Sequence, residues 1–235
     1  MKIIVAPNAF KGSLSPAEAA GIMTKAALAA CPDAEVVTLP VADGGDGTAE
    51  ILAQLLGGRP VRCAVHDPLM RPIEACYYLL PDGITALVGI SAASGIALLN
   101  PSELDAMHAT TYGTGELLHH ALRNGCRHLV VALGGSATCD GGTALAQALG
   151  VRFYDAANRE MTTPLCGAMM GSVVRYEVPD ELHRLRITVL CDAEAVMFGP
   201  QGAAYVYAPQ KGASPAQVAL LDESLRHYAA VLTRQ

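Results

Sequence analysis

The chain has no tryptophan, three phenylalanines and eight tyrosines. A surface that stacks nucleobases needs aromatic side chains and a basic groove. With a net charge of −6 and no basic stripe, the sequence argues against nucleic-acid binding. Only 16% of residues are charged while 51% are hydrophobic, yet no apolar run approaches the roughly 20 residues a membrane span requires. The apolar residues therefore belong to a folded core, with no membrane partner implied. Seven cysteines occur without a C-x-x-C pair, which leaves no zinc-ligand spacing. Their odd number and strand-like settings, as at Cys191, fit reduced thiols in a cytoplasm. The histidines show no ligand spacing either. Met1 to Pro7 is too short an apolar stretch for a signal peptide, because Asn8, Lys11 and Ser13 follow at once. The common nucleotide and calcium signatures are also missing. There is no G-x-x-x-x-G-K-[ST] loop, Gly113-Thr114-Gly115 lacks a third glycine, and Gln54 stands at the twelfth position of an EF-hand read from Asp43.

What the chain does have is two acidic glycine knots, each at a strand-to-helix transition. The first is Val41-Ala42-Asp43-Gly44-Gly45-Asp46-Gly47-Thr48; the second runs from Gly134-Gly135-Ser136-Ala137-Thr138 through Cys139-Asp140-Gly141-Gly142-Thr143. Glycine lets backbone N–H groups approach a ligand, and a following helix N-terminus favours anions. Carboxylates in the same loops repel an anion unless a cation lies between them. The combination points to a phosphate-bearing ligand with a divalent metal. Either knot alone is explained by turn and cap chemistry.

The surrounding pattern reads as α/β. A strand over 2–6 is followed by a helix whose start is marked by Ser15, Pro16 and Glu18, a capping box with proline at the first helical position. This helix is expected to reach about Ala30 with Ile22, Met23, Ala26 and Ala30 buried. A strand over 36–39, the first knot and a helix over 47–56 follow, an order that predicts a parallel sheet. Strands over 61–65, 74–79 and 85–90, separated by short turns, predict antiparallel pairing and place a domain boundary near 65–70. Beyond them come a helix over 115–124, a strand over 128–133, the second knot with a helix to about Leu149, and a strand over 151–154. A buried strand over 187–190 ends at Cys191-Asp192. A strand over 205–207 and a last helix from Ser214-Pro215 complete the pattern. Ligands in open α/β sheets sit beyond the carboxyl ends of the strands. That places Lys11 and Ser13, Asp43 and Asp46, Ser136 to Asp140, and Asp192 together. Cations and hydroxyls that neutralise phosphate, with carboxylates that hold magnesium or orient a hydroxyl, are what phosphoryl transfer needs.

These loops resemble the type I family of bacterial glycerate kinases. The matching segments are Ala6-Pro7-Asn8-Ala9-Phe10-Lys11-Gly12-Ser13-Leu14-Ser15, Pro40 to Thr48, Ala92-Ala93-Ser94-Gly95, Thr110 to Leu117, Gly134 to Thr138, Asp140-Gly141-Gly142, Gln147 to Phe153, Gly199-Pro200 and Pro209-Gln210-Lys211-Gly212-Ala213. The resemblance implies ATP-dependent phosphorylation of D-glycerate with Mg2+, 2-phosphoglycerate being the favoured product. It implies a two-domain α/β fold with ligands in the interdomain cleft. A discontinuous Rossmann-like parallel-sheet domain would begin at 1–67, with an inserted mixed α/β domain over 68–235. The C-terminal part of the first domain would lie outside the sequence, and residues 1–60 would then expose strand and helix faces.

As catalytic residues the resemblance implies Asp43, Asp46, Asp140, Asp192 and Lys11, with Asp43, Asp140 and Asp192 as magnesium ligands; which carboxylate is the base stays open. For substrate and phosphate it implies Asn8, Ser13, Gly44, Gly45, Ser94, Thr111, Gly134, Gly135, Ser136, Thr138, Gly141, Gly142 and Lys211. The chain departs from the family pattern at Asn8-Ala9, where Asp-Ser is common, at Gly89 for Glu, at Cys139 for Asn, and at Glu194-Ala195-Val196 for an Asp-Asn-Pro run. Two alternatives stay open: a relative that binds glycerate or nucleotide without turnover, and a half-enzyme completed by a second chain. A homodimer is compatible with the family.

Overall fold

The Ser15 hydroxyl accepts the Glu18 N–H at 3.2 Å, and the Glu18 carboxylate accepts the Ser15 N–H at 2.9 Å. This capping box starts helix α1 (Pro16–Ala30), which connects strands β1 (Lys2–Val5) and β2 (Glu35–Thr38). The computed structural model describes residues 1–8, 10 and 13–234. β1 and β2 pair in parallel, as a strand–helix–strand order requires. Helix α2 (Thr48–Leu56) follows the first knot.

The buried side of α1 is not the one its sequence suggests. Pro16, Ala19 and Ala20 are buried, whereas Ile22 is 56% and Met23 41% exposed, and Ala26 and Ala30 are exposed too. A two-stranded sheet is too narrow to cover a whole helix face, so only the first turns of α1 are packed. Ile4, Leu39, Leu55 and Leu56 are exposed in the same region.

The central sheet is built from β3 (Arg59–His66), β4 (Pro72–Leu79) and β5 (Thr85–Gly89). After the short helix α3 (Ser91–Ser94) and the longer α4 (Tyr112–Arg123), β6 (His128–Ala132) joins it. Helix α5 (Thr143–Ala148) leads to a small antiparallel pair, β7 (Arg152–Tyr154) with β8 (Arg175–Glu177). Strand β9 (Arg186–Leu190), helix α6 (Ala203–Tyr207) and helix α7 (Pro215–Leu232) follow. The sheet order is β3-β4-β5-β6-β9. The first two pairings are antiparallel and the last two parallel, so the fold is mixed α/β. Because β3 pairs along its whole length with β4, this sheet begins at Arg59.

One core cluster lies between the sheet and α4, around Tyr77, Val88, Leu117 and Leu129. A second surrounds α7, where Leu221, Leu225, Tyr228 and Val231 meet Phe153, Leu165 and Met170. Burying each such side chain contributes roughly 1.5–3 kcal/mol. Two strand readings are corrected. β9 is an edge strand whose Ile187 and Val189 are 54% and 53% exposed, rather than buried. The segment 205–207 is helical in α6: a short apolar run does not distinguish strand from helix, and Ala203 and Ala204 ahead of it favour helix. β8 gave no readable signal, since three residues carry no periodicity. Among the described residues no helix is long and apolar enough to cross a membrane.

Candidate active site

The first knot is held from both sides. The Val41 N–H donates to the Pro7 carbonyl at 2.9 Å, which brings Asn8 beside it. Asn8 Nδ2 donates to Asp43 Oδ2 at 2.5 Å, and Asp43 Oδ1 accepts the Gly45 N–H at 2.8 Å. The Gly44 N–H donates to Thr48 Oγ1 at 3.0 Å.

The two knots touch. The Gly134 N–H donates to the Gly44 carbonyl at 2.7 Å. A Cβ at Gly134 would stand 2.3 Å from Gly45 Cα, and one at Gly135 1.9 Å from a carboxylate oxygen of Asp46. A side chain at Gly134 would force the loops apart, whereas one at Gly135 would displace the Asp46 side chain, so Gly134 is what permits the junction. A Cβ at Gly44 would lie 2.9 Å from the carbonyl of Leu190, the last residue of β9. The ends of β6 and β9 and the loop after β2 therefore meet at one place. Asp43, Asp46 and Asp192 are exposed there.

A third segment braces the second knot. The Ala137 N–H donates to the Ser94 carbonyl at 2.9 Å, and the Ile96 N–H to the Gly135 carbonyl at 2.8 Å. The Ser94 side chain turns inward, its Oγ 2.7 Å from Thr114 Oγ1, and both residues are fully buried.

Two buried titratable side chains, Asp140 and Lys211, lie beneath. Asp140 Oδ2 accepts the Thr111 N–H at 2.9 Å and the Thr111 hydroxyl at 2.6 Å, and Oδ1 accepts the Gly142 N–H at 3.2 Å. Thr111 Oγ1 in turn accepts the Leu145 N–H at 2.9 Å. Asp140 thus ties the start of α4 to the start of α5. Burial pushes its carboxyl above the usual range, opposed by the hydrogen bonds from Thr111 and Gly142. Lys211 Nζ donates to Ser136 Oγ at 3.0 Å and to the Thr138 carbonyl at 2.6 Å. Burial pushes its ammonium down, opposed by Cys139 and Asp140.

The structure thus brings Asn8, Asp43, Gly44, Gly45, Asp46, Gly134, Gly135 and Ser136 into one junction, with Asp192 two residues past Leu190. Ser13 is exposed, and its N–H is used by the Phe10 carbonyl at 2.8 Å. Thr138 is buried beside Lys211. Gly141 and Gly142 have left-handed backbone at φ +59° and +75°, and Gly142 caps α5. Lys11 lies outside the described residues. The trio Asp43, Asp140 and Asp192 is not assembled as a metal centre. Asp140 is buried at 1% exposure with both oxygens engaged, and among the described residues no three His, Cys, Asp or Glu side chains are grouped to hold an ion.

Three threonines were not singled out from the sequence. Thr48, Thr114 and Thr143 are buried, and each hydroxyl ties down a nearby backbone or hydroxyl group. Each directly follows a glycine at a helix start: Gly47, Gly113 and Gly142. That Gly-Thr pattern is the signal that could have found them.

Residues 3–235 match the model of the glycerate kinase family. The chain belongs to that family. It is 39% identical over 231 residues to a glycerate kinase of Bacillus subtilis (strain 168), covering 97% of this chain and 60% of that relative. It is 37% identical over 237 residues to the glycerate 2-kinase of Escherichia coli (strain K12), covering 100% of this chain and 62% of that protein. The fold is similar to the crystal structure of a Salmonella typhimurium LT2 protein assigned as glycerate kinase 2, with a TM-score of 0.82 and 37% identity. That match covers 100% of this chain and 63% of the other. The chain spans about three fifths of the length of these relatives.

Proposed function

We propose that this glycerate kinase family chain supplies one wall of an active site that phosphorylates D-glycerate from ATP, with 2-phosphoglycerate as product. The observation that carries the reading is the junction of the two knots, joined by the Gly134 N–H on the Gly44 carbonyl. It gathers glycine backbone, hydroxyls and exposed carboxylates at the carboxyl ends of parallel strands, where α/β folds bind ligands. In this reading Ser136 and the N–H groups of Gly135 and Ser136 hold phosphate oxygens, those of Gly134 and Ala137 being used by Gly44 and Ser94. Thr138 supports the loop from its buried position, and Lys211 lends positive charge from below.

Asp43, oriented by Asn8 Nδ2 and the Gly45 N–H, and Asp192 are the candidates to accept the proton of the attacking hydroxyl. Asp140, Thr111 and Ser94 are positioning residues, since their side chains are turned into the protein. Mg2+ fits this donor set: the ion commonly takes one or two carboxylates and completes its shell with phosphate oxygens and water. One or two of the exposed carboxylates of Asp43, Asp46 and Asp192 would hold it. Once bound, it would neutralise charge on the phosphates.

The division into two domains is part of the same proposal. The expected division at 1–67 and 68–235 is kept with its boundary moved to Arg59, where the mixed sheet begins, and the cleft along the knots. Helix α2 packs on that sheet, its Ala49 and Ala53 against Leu87. The exposed apolar residues Ile4, Ile22, Met23, Leu39 and Leu55 support further polypeptide completing the first domain. The free cysteines fit a cytoplasmic protein. A second reading, ligand binding without turnover, draws on Gly89 at the end of β5, where a Cβ would meet nothing closer than 3.7 Å and the family commonly carries Glu.

Asp43→Asn tests the assignment. It should lower kcat by about 100-fold or more while costing stability only the one hydrogen bond from Asn8 or Gly45 that an amide cannot accept, about 1 kcal/mol. Turnover equal to wild type would remove Asp43 from the chemistry.

A further inference from the structure

The amino ends of the parallel strands carry a second concavity, distant from the knots. β6 and β9 lead into the knot junction at their carboxyl ends. At their amino ends a cavity of about 630 Å³ opens between the last turn of α4, the end of α5 and the 3-10 turn Asp180–Arg184. This is within the size range of sites that hold small organic molecules. It shares no residue with the proposed active site.

Its chemistry is divided. Leu122, Leu149, Leu182 and Leu185 line it from three separate segments, and all four remain only half-buried. The charged lining residues are exposed: His119, Arg123, Arg127 and Arg184 against Asp180 and Glu181. Arg127 is partly committed, donating to the carbonyls of Cys126 at 2.7 Å and Leu122 at 3.3 Å. Among the described residues Arg123 and Arg184 make no ion pair or side-chain hydrogen bond, and neither acid is ion-paired with them. The three guanidiniums outnumber the two carboxylates in a chain whose net charge is −6. Guanidinium forks match carboxylate and phosphate oxygens, and the leucines offer an apolar wall that water wets poorly.

We propose that this cavity is a second binding site, for a small molecule with an anionic head and an apolar body. Arg123 and Arg184 bind the head and the four leucines bind the body. Asp180 and Glu181 oppose the head and keep the affinity low.

Methyl and amide NMR of the chain, titrated with hexanoate and with phenyl phosphate, tests the proposal. Hexylamine serves as the charge-reversed control, and acetate and inorganic phosphate as heads without a body. The expected result is a saturable shift of the four leucine methyls with one or both amphipathic anions, and much weaker shifts with the three controls. Which of the two anions binds more tightly identifies the head as carboxylate or phosphate. The double substitution Arg123→Ala, Arg184→Ala should weaken binding about tenfold or more. Asp180→Asn with Glu181→Gln should tighten it, a second arm that does not depend on the arginine variant folding. No saturable shift would overturn the proposal. So would equal binding of hexylamine or of the bare heads, or indifference to both pairs of substitutions. Shifts of the same methyls produced by raising protein concentration alone would make the cavity a self-association surface instead.

Discussion

Gly134 sits where the second knot meets the backbone of the first, and its replacement isolates the cost of separating the loops. A Cβ there would be 2.3 Å from Gly45 Cα and 2.8 Å from the Gly44 carbonyl oxygen. Gly135 has φ +76°, and its Cβ would meet only the tip of the exposed Asp46 side chain, which can turn away. Gly135→Ala should cost about 1 kcal/mol from backbone strain. Gly134→Ala should cost about 1–3 kcal/mol more from the backbone clash. Urea unfolding of the two variants measures the difference, and equal losses would mean the knots are not packed as described. Asp140 makes a separate prediction. Burial holds its carboxyl above the ordinary 3.8 in the folded chain. Between the two values the folded chain keeps a proton that the unfolded chain has released. This contribution to stability is therefore present below the ordinary value and lost as pH rises through the raised one. Urea midpoints followed upward from about pH 4 should show that loss in wild type and not in Asp140→Asn. Identical slopes would contradict the placement of Asp140.

At the scale of elements, the two long helices α1 and α7 begin with the same device and differ in what they pack against. Ser15 and Ser214 both cap with a reciprocal partner three residues on. Helix α7 buries Leu221, Leu225, Tyr228 and Val231, so Ser214→Ala should lower global stability by about 1 kcal/mol. Helix α1 leaves Ile22 and Met23 exposed, so Ser15→Ala should act locally. Hydrogen exchange would show faster amides in α1 with β6 unchanged; an equal global loss from both substitutions would contradict this. The caps were legible because they are local: hydroxyl, proline and acid or amide stand within four residues. The antiparallel β3-β4-β5 run was legible for the same reason, from Pro68 and the turn at 81–83. The buried side of α1, the exposure of β9 and the helix at 203–207 were not, because each depends on what the element packs against rather than on its own residues.

For the whole molecule, the candidate site was legible as a set of loops and not as a set of roles. Strand-end logic placed Asp43, Asp46, Ser136 and Asp192 at one end of the fold, and they are there. It could not show that Asp140 and the Ser94 side chain turn inward, because burial is set by chain segments far apart in sequence. Nor could it show that the knots are in direct contact. The structure recasts them as one junction, with exposed carboxylates above it and two buried titratable side chains, Asp140 and Lys211, beneath it. The exposed apolar surface of residues 1–58 is the other global feature, and it bears on how the function is assayed, since the chain spans about three fifths of its relatives. The most direct test is D-glycerate-dependent ADP release with Mg2+. It is followed for the chain alone and for the chain joined to the remaining C-terminal portion of the Bacillus subtilis relative, with cooperative unfolding confirming that the joined protein folds. The account predicts turnover by the joined protein, with the phosphate on C2 of glycerate by 31P NMR, and its loss on Asp43→Asn. A folded joined protein with no glycerate-dependent ADP release would contradict it.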